Sequence, residues 1–371
     1  MKIFYIAHAR LPTEKAHGIQ IMEMCRAFTE LHHKVTLIVP FRRNTISESP
    51  FTFYGIPQDF EIVTLPVVDL IFLGKIGHLL SWLMFSGMVF LYTLSHKADL
   101  LYSRDELSLA FLALLNRNLA WEGHTGQWSM AVRFLAAVQV PFIVITQGLK
   151  DFYVKRGVSK KKIFVAHDGV NLSSFEQSFD RQKVRDSFGI TDGEFLVAYT
   201  GKLSGWKGVP TLCESFGFLS NKNYRLLIAG GEGSETEVLK KKYPSIQFLG
   251  RLSRVRAIEL QRASDLLVIP NTAQSIISKS FTSPLKLFEY MASGVPIIAS
   301  DLPSLREIIS EGEVTFAVPD SAISLSTGIE FIKEHHEDAR TKALRAKEKV
   351  AEYSWINRTR SIIASLYAES S

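Results

Sequence analysis

Two lysines in a glycine-containing turn are the residues whose type and spacing point most directly to chemistry. The segment TGKLSGWKGV places Lys202 and Lys207 among Gly201, Gly205 and Gly208. Glycines let a backbone approach a ligand closely, and two ammonium groups can neutralise a diphosphate. The segment therefore predicts a phosphate-binding turn. The alternative is an ordinary glycine turn with two solvated lysines.

A lysine and a glutamate share one side of a second segment, SPLKLFEYMASGVPIIASD, at residues 283–301. Ser283 is expected to cap a helix that ends at Gly294, and VPIIAS is typical of a buried parallel strand. Lys286 and Glu289 then lie near a helix N-terminus at the edge of a sheet, where phosphates and sugars bind. The alternative is an ion pair on a solvated helix.

Polar loops in the N-terminal half follow predicted strands. HARLPTEKAHGIQ brings His17 and Gly18 to the start of a helix, and AWEGHTGQW places Glu122 and His124 just after a strand. A histidine there can bind a sugar hydroxyl or stabilise developing charge. The alternative for His124 is a hydrogen-bonded surface histidine. A third loop, FVAHDGVN, is expected to be a turn at a domain junction.

Several other catalytic classes are not indicated. The sequence has no GxxxxGK[ST], and no GxGxxG follows the first strand, which argues against a P-loop and weakens a dinucleotide site. It has no Asp-x-Asp, no H-E-x-x-H and no G-x-S-x-G. We therefore expect no bound metal, no cofactor and no α/β-hydrolase chemistry.

Alternating strands and helices must position these loops, which indicates a doubly wound parallel α/β sheet. A polar stretch at 171–192 interrupts the alternation, which restarts with FLVAYTG and YRLLIAGGEG. We expect an N-terminal domain at 1–175, a C-terminal domain at 176–352 and a final amphipathic helix within 353–371. One helix is predicted at 19–33, and the N-terminal strands at 2–7, 35–40, 60–65, 100–103, 119–122, 142–146 and 163–166.

Composition and charge fit a two-domain globular protein. The 371 residues are 46% hydrophobic and 22% charged, and Cys25 and Cys213 lie too far apart to suggest a disulfide framework. The net charge of +6 fits an anionic ligand or membrane surface, and no nucleic-acid motif accompanies it. The start of the chain has a strand pattern, so we expect no cleaved signal peptide and a cytoplasmic location.

The apolar stretch LLSWLMFSGMVFLYTL, residues 79–94, is the candidate membrane element. Its sixteen residues are fewer than the roughly 20 of a spanning helix. A buried or surface-docking helix is therefore predicted, and peripheral membrane contact stays open.

In combination and order, these motifs resemble the retaining, GT-B-fold glycosyltransferases of family 4 (glycosyltransferase group 1). The resemblance includes AGGEG at 229–233 and extends nearly from end to end. It implies two Rossmann-like doubly wound domains facing across a cleft. It also implies transfer of a sugar from a nucleotide sugar to an acceptor without an obligatory metal.

The resemblance also implies roles for individual residues. His124, Lys202 and Lys207 match the catalytic positions, and the two lysines match the basic pair that holds the donor diphosphate. Glu289 matches the second glutamate of the Glu-x7-Glu motif, which binds ribose hydroxyls. The implied donor-binding residues are Gly18, Gly201, Gly231, Ser283, Lys286 and Glu289, and the implied acceptor-side residues are His17 and Glu122.

One position departs from the pattern, because Phe281 stands where the first glutamate of the motif is expected. Thr282 and Ser283 are candidate substitutes for its contacts, and Lys286 is a candidate additional contact to phosphate or sugar. We expect a hexosyltransferase in glycan biosynthesis that uses a glycan or lipid-linked acceptor at the inner face of the cell membrane. The alternatives are a non-catalytic sugar-nucleotide-binding scaffold, suggested by Phe281, and a nucleotide-sugar 2-epimerase.

Overall fold

The structure, a computed structural model, describes residues 1–115, 117–220, 223–231 and 233–368. The chain divides into two compact units. Unit 1 comprises Met1–Asp168 and Trp355–Ser371, and unit 2 comprises Gly169–Ser354.

The described part of unit 1 contains a parallel sheet of seven strands. They are β1 Lys2–Ile6, β2 Lys34–Pro40, β3 Glu61–Leu65, β4 Leu100–Ser103, β5 Leu119–Gly123, β6 Phe142–Val144 and β7 Ile163–Val165. Their order is β3-β2-β1-β4-β5-β6-β7, so the order reverses between β1 and β4. Every predicted strand of this half is present, with ends within two residues of the predicted ones. The reversal creates the crevice at which open α/β sheets bind ligands.

The helices of unit 1 include one whose bounds differ from the prediction at both ends. The first helix begins at Ala16 and ends at Glu30, because Leu31 is its C-cap and His32 adopts a left-handed conformation with φ 62°. The helices of this part of the chain are α1 Ala16–Glu30, α2 Pro50–Tyr54, α3 Gly74–Ser95, α4 Glu106–Ala113, α5 Met130–Ala137 and α6 Gln147–Val154.

Helix α3 is longer than the apolar stretch that predicted it. It contains 22 residues, because it begins at Gly74 and includes Lys75 and His78 before the apolar run. By length and hydropathy alone it is able to cross a membrane, and 33% of its most apolar window is buried. The sixteen-residue estimate was therefore wrong as a measure of this helix.

The described part of unit 2 contains a parallel sheet of six strands with the order β10-β9-β8-β11-β12-β13. The strands are β8 Phe195–Thr200, β9 Tyr224–Ala229, β10 Gln247–Gly250, β11 Leu266–Ile269, β12 Ile297–Ser300 and β13 Thr315–Ala317. The helices are α7 Arg181–Ser187, α8 Val209–Ser215, α9 Ser234–Lys242, α10 Arg254–Ala263, α11 Leu285–Ser293, α12 Pro303–Arg306, α13 Ala322–Glu334 and α14 His336–Lys349. The strand order reverses between β8 and β11.

Both faces of this second sheet are buried, as the apolar strands require. Along β8, Leu196 and Ala198 belong to one hydrophobic cluster, whereas Val197 and Tyr199 belong to another. Because side chains alternate along a strand, the two clusters lie on opposite faces of the sheet.

The N-terminus of α11 differs from the prediction. Pro284, with ψ 119°, occupies the N-cap position and no side chain caps the helix, so Ser283 is not the cap. The residue before a proline is driven to an extended conformation, which places Ser283 outside the helix. The predicted stop is confirmed, because Gly294 is the C-cap with φ 70°.

The last helix, α15 Trp355–Tyr367, belongs to unit 1. It packs against α1, where the Arg358 guanidinium contacts Met24 Sδ at 2.8 Å. The helix begins two residues after the predicted start, since Val350–Tyr353 forms a 3₁₀ turn.

Candidate functional site

The carboxyl end of β8 and that of β11 bracket the reversal of strand order in unit 2. The predicted glycine–lysine turn follows β8, and Asn271 follows β11. A Cβ on Gly208 would lie 1.7 Å from the Pro270 carbonyl oxygen, so only glycine fits between the two loops. Trp206 accepts a backbone hydrogen bond from Thr272 at 3.2 Å. The turn is therefore fixed against the neighbouring strand end.

Lys207 lies in this turn without an ion pair among the described residues. Its Nζ is 3.7 Å from the centroid of the Trp206 ring. Burial, together with the nearby Lys202, lowers the pKa of Lys207 to about 8. Lys202 itself is exposed. Two ammonium groups that repel one another in a half-buried turn are suited to an anionic ligand.

Lys286 is the most strongly desolvated cation of the site. Its side chain extends from the first turn of α11, and the residue is only 8% exposed. Its Nζ is 3.6 Å from the centroid of the Tyr199 ring and has no hydrogen-bond partner among the described residues. Burial, followed by repulsion from Lys207, lowers its pKa well below the usual range, and Glu289 opposes this shift.

Lys286 and Glu289 do not form the solvated ion pair that was the alternative for this helix. The structure gives no ion pair within 4.0 Å between them among the described residues, and Glu289 instead accepts a 3.3 Å hydrogen bond from Gln261 Nε2. Burial raises the pKa of Glu289, although Arg254 opposes the shift. The carboxylate is therefore held by α10, and Lys286 has no hydrogen-bond or ion-pair partner within the described ranges of the chain.

Gln261 and Asn271 were missed by the sequence analysis. Gln261 donates to Thr200 Oγ1 at 3.0 Å, while its Oε1 has no partner in the described part of the chain. Asn271 is fully buried, and neither polar atom of its amide has a partner among the described residues. Its position directly after β11, at the strand-order reversal, is the signal that would have identified Asn271.

The remaining predicted residues of unit 2 have defined places. Gly231 follows β9 with φ 76°, and a Cβ there would lie 2.4 Å from the Leu203 side chain. Ser283 is buried just before α11. Phe281 ends a π-helical turn at Ile277–Phe281 and is 8% exposed, so the position expected to carry a glutamate is an apolar one inside unit 2.

In unit 1, Glu122 lies at the centre of a closed hydrogen-bond cluster. Its carboxylate is fully buried and accepts from Gln20 Nε2 at 2.6 Å, Tyr102 OH at 2.5 Å, His124 Nε2 at 2.6 Å and Arg358 Nη2 at 2.8 Å. Burial alone would raise the pKa of Glu122, but Arg358 and His124 hold it well below its usual range. Glu122 is therefore a carboxylate.

His124 is positioned by this carboxylate. Because a carboxylate only accepts hydrogen bonds, Nε2 carries the proton and Nδ1 carries the lone pair. Burial and Arg104 lower the pKa of His124, so its ring is neutral near pH 7. In this neutral imidazole, Nδ1 can accept a hydrogen bond from a hydroxyl group.

The cluster of Glu122, His124 and Asp168 also has the spacing of a metal site. One ligand atom from each residue lies within 4.8 Å of the others. However, Glu122 Oε1 already accepts bonds from Gln20, His124 and Arg358, and the guanidinium repels a cation. These residues fit a hydrogen-bond cluster better than a divalent ion.

His17 and Gly18 begin α1, at the edge of the same unit. A Cβ on Gly18 would lie 2.0 Å from Tyr54 OH, which is bonded to the backbone of Thr13 in both directions. Gly18 therefore permits the packing of this loop. His17 lines a cavity of about 240 Å³ at the reversal between β1 and β4.

The cavity contains titratable residues that the sequence analysis did not single out. Burial raises the pKa of Glu106 to about 7. Burial, Arg42 and His78 lower the pKa of His8 to about 3. The Trp82 indole also lines the cavity and donates to Asp105. The positions of His8 and Glu106, two residues after β1 and three residues after β4, were the available signal.

Residues 180–349, most of unit 2, match the family model described as Glycosyl transferases group 1. The chain is 24% identical over 207 residues to an uncharacterized glycosyltransferase of Methanocaldococcus jannaschii, covering 53% of this chain and 51% of that protein. It is 25% identical over 182 residues to the alpha-monoglucosyldiacylglycerol synthase of Streptococcus pneumoniae, covering 46% and 38%. The chain thus spans about half, or less, of the length of the curated relatives that it matches.

The structure is similar to that of Anabaena HepE in complex with UDP-glucose. The TM-score is 0.78 at 17% identity, covering 99% of this chain and 100% of that one. Together with the two parallel sheets, this similarity confirms the expected α/β fold of the GT-B type, with two Rossmann-like units.

Proposed function

We propose that the protein is a retaining, metal-independent glycosyltransferase that moves a sugar, preferably a hexose, from a nucleotide sugar to a glycan or lipid-linked acceptor. The observation that carries this proposal is the buried, unpartnered ammonium of Lys286 beside Gly201 and near Lys207. These cations lie in the segment that matches the glycosyl transferases group 1 model. The UDP-glucose complex of the Anabaena protein supports a nucleotide-sugar ligand.

Unit 2 is the proposed donor-binding unit. Lys202 and Lys207 neutralise the diphosphate, and the backbone at Gly201 and Gly231 allows its close approach. Glu289, held by Gln261, accepts hydrogen bonds from the ribose hydroxyls. Ser283 is buried two residues before α11, and its hydroxyl is the proposed contact to the donor sugar.

Catalysis in this proposal is electrostatic. The bond between the sugar C1 and the diphosphate oxygen breaks, and its electron pair stays on the oxygen. The acceptor oxygen forms the new bond to C1 from the same face, and its hydroxyl proton passes to water. The lysines stabilise the charge that accumulates on the leaving group, so that no metal is required for this role.

Unit 1 is the proposed acceptor-binding unit. Its cavity of about 240 Å³ is large enough for one sugar ring and combines the Trp82 indole with hydrogen-bonding groups, including His17 and Glu106. Near the end of β5, His124 Nδ1 is the proposed acceptor for a sugar hydroxyl. Glu122, fully enclosed, acts by holding the His124 ring.

Peripheral contact with the inner face of the cell membrane is proposed for helix α3. Among the Asp, Glu, Lys and Arg residues of the chain, only Lys75 lies in this helix. The net charge of the chain, +6, suits an anionic membrane surface. The outer face of α3 exposes large apolar side chains, namely Ile76, Leu79, Leu80, Leu83, Met84, Leu91 and Leu94.

The transfer proposal is tested by incubating the protein with a panel of nucleotide sugars and candidate acceptors and measuring the released nucleoside diphosphate. We expect release with one donor, and its loss in Lys207→Met but not in Lys241→Met, an exposed lysine on α9. Tight nucleotide binding without release would favour a scaffold. Conversion of the donor to an epimer would favour an epimerase.

The membrane proposal is tested by co-sedimentation with phosphatidylglycerol–phosphatidylcholine vesicles. The double variant Ile76→Ser, Leu83→Ser should lose binding. The matched control, Val238→Ser with Leu344→Ser, removes exposed apolar side chains of unit 2 and should retain it. Equal binding by both variants would contradict a role for α3.

A further inference from the structure

An unpartnered ammonium inside a protein is unfavourable unless a ligand completes its contacts. Lys286 is 8% exposed and has no hydrogen-bond partner among the described residues. Burial of a polar or charged group without compensation is strongly destabilising. The Tyr199 ring at 3.6 Å offers a cation–π contact, which replaces only part of the lost hydration.

The carboxylate nearest in sequence does not serve as the partner of Lys286. Glu289 lies on the same side of α11, yet no ion pair within 4.0 Å joins it to Lys286 among the described residues. Glu289 is bonded to Gln261, and Arg254 attracts it. The other charged group acting on Lys286 is Lys207, which repels it. The vacant hydrogen-bonding capacity of Lys286 is therefore suited to an anion.

The location of Lys286 matches that of the proposed donor diphosphate. An ideal Cβ on Gly201 would lie 3.0 Å from Lys286 Nζ, so the ammonium is directly beside the backbone at the end of β8. This is the reversal point of the sheet, next to the turn that carries Lys202 and Lys207. A side chain on Gly201, whose φ is 134°, would displace the ammonium. Lys286 thus lies at the same edge of the sheet as the turn that carries Lys202 and Lys207.

The charges of the reaction match this set of three cations. The diphosphate of a nucleotide sugar carries two negative charges, whereas a free nucleoside diphosphate approaches three near pH 7, since the second phosphate pKa is about 6. When the bond to C1 breaks, the extra electron pair stays on the terminal phosphate oxygen. A third cation therefore has a role in the transition state that it lacks in the bound substrate.

We infer that Lys286 binds the terminal phosphate of the nucleoside diphosphate and stabilises the third negative charge as it forms. This inference rests on the proposed glycosyltransferase function. Lys286 distinguishes the leaving group from the intact donor, while Lys202 and Lys207 bind the two charges that both species share.

The test compares binding of a nucleoside diphosphate and of the corresponding nucleotide sugar by isothermal titration calorimetry. The probes are UDP with UDP-glucose, GDP with GDP-mannose and ADP with ADP-glucose, and the proteins are wild type, Lys286→Met, Lys286→Gln and Lys241→Met. Loss of a charge-assisted hydrogen bond should weaken binding of the diphosphate by about 10-fold or more. Binding of the nucleotide sugar should weaken by less than about 3-fold, and Lys241→Met should resemble wild type.

Turnover provides a second measurement that a merely structural role would not change in the same way. In the Lys286 variants kcat should fall while KM for the donor stays nearly constant. Melting temperatures of both variants should equal or exceed that of wild type, because a buried unpaired charge is removed.

The outcomes separate the two claims. Unchanged diphosphate binding in both Lys286 variants, with wild type still binding, would overturn the role of Lys286 and leave the glycosyltransferase proposal intact. Equal weakening for diphosphate and nucleotide sugar would also overturn it. If wild type binds no nucleotide, the proposed function fails and the inference fails with it.

Discussion

The two units contain buried polar clusters of opposite character. In unit 1, the Glu122 carboxylate accepts four hydrogen bonds and is paired with Arg358. In unit 2, Lys286 and Asn271 are also buried but lack hydrogen-bond partners in the described part of the chain. The first cluster is complete among its own residues and fixes a histidine, whereas the second is incomplete, and the proposed ligand would supply the missing oxygen atoms. Burial alone therefore does not distinguish the two clusters, but their hydrogen bonding does.

The largest effect should come from breaking the complete cluster. Arg358→Met would leave Glu122 as an uncompensated buried charge, so unit 1 should lose about 3 to 5 kcal/mol of unfolding free energy. Urea unfolding measures this loss.

Arg306→Met is the matched control, because Arg306 forms exposed ion pairs with Asp301 and Glu311. Exposed pairs contribute about 1 kcal/mol or less. Similar losses in the two variants would mean that the Glu122 cluster is not the closed network described above.

Removing Lys207, in the turn beside the incomplete cluster, should lower activity without destabilising the fold. Lys207→Met should lower kcat/KM by about 10²- to 10³-fold, mainly by raising KM, since a cation that binds the diphosphate in both the donor and the transition state is lost. Steady-state release of nucleoside diphosphate measures the effect. A fully active variant would refute the assignment of Lys207 to the diphosphate.

The stability of the two units should rise with pH over different ranges, and unit 1 should respond in acid. The pKa of His8 is about 3 in the folded state, against an ordinary value of 6.5 in the unfolded chain. The unfolded chain therefore binds more protons between pH 3 and pH 6.5. Stability is therefore lost as pH falls from 6.5 towards 3, by about 2 to 4 kcal/mol. His8→Phe should reduce this loss in urea unfolding at pH 7 and pH 4. An unchanged acid dependence would show that His8 is not the group responsible.

In unit 2 the pH response should appear in alkali. The pKa of Lys207 is about 8 in the folded state, below its ordinary value of 10.5, so stability is gained as pH rises from 8 to 10.5. Lys207→Met should be more stable than wild type by about 1 to 2 kcal/mol at pH 7, and the difference should vanish near pH 10.5. A constant difference across this range would rule out repulsion at Lys207 as its cause.

The sequence predicted the sheets well because apolar strands alternating with helices leave a strong periodic pattern. It also indicated the glycine–lysine turn, where Gly208 is sterically required. It did not reveal Gln261 or Asn271, because single polar residues carry no spacing pattern and their burial depends on tertiary packing. The length of α3 was missed for a related reason: glycine, lysine and histidine interrupt the apolar run but not the helix.

We propose above that Lys207 and Lys286 of unit 2 bind the donor diphosphate. The most direct measurement is a crystal structure of the protein soaked with a nucleotide sugar or its nucleoside diphosphate. We expect phosphate oxygens of the bound nucleotide within about 3.2 Å of the Nζ atoms of Lys207 and Lys286, at the carboxyl end of β8. A nucleotide bound elsewhere, with both ammonium groups still unpartnered, would contradict it.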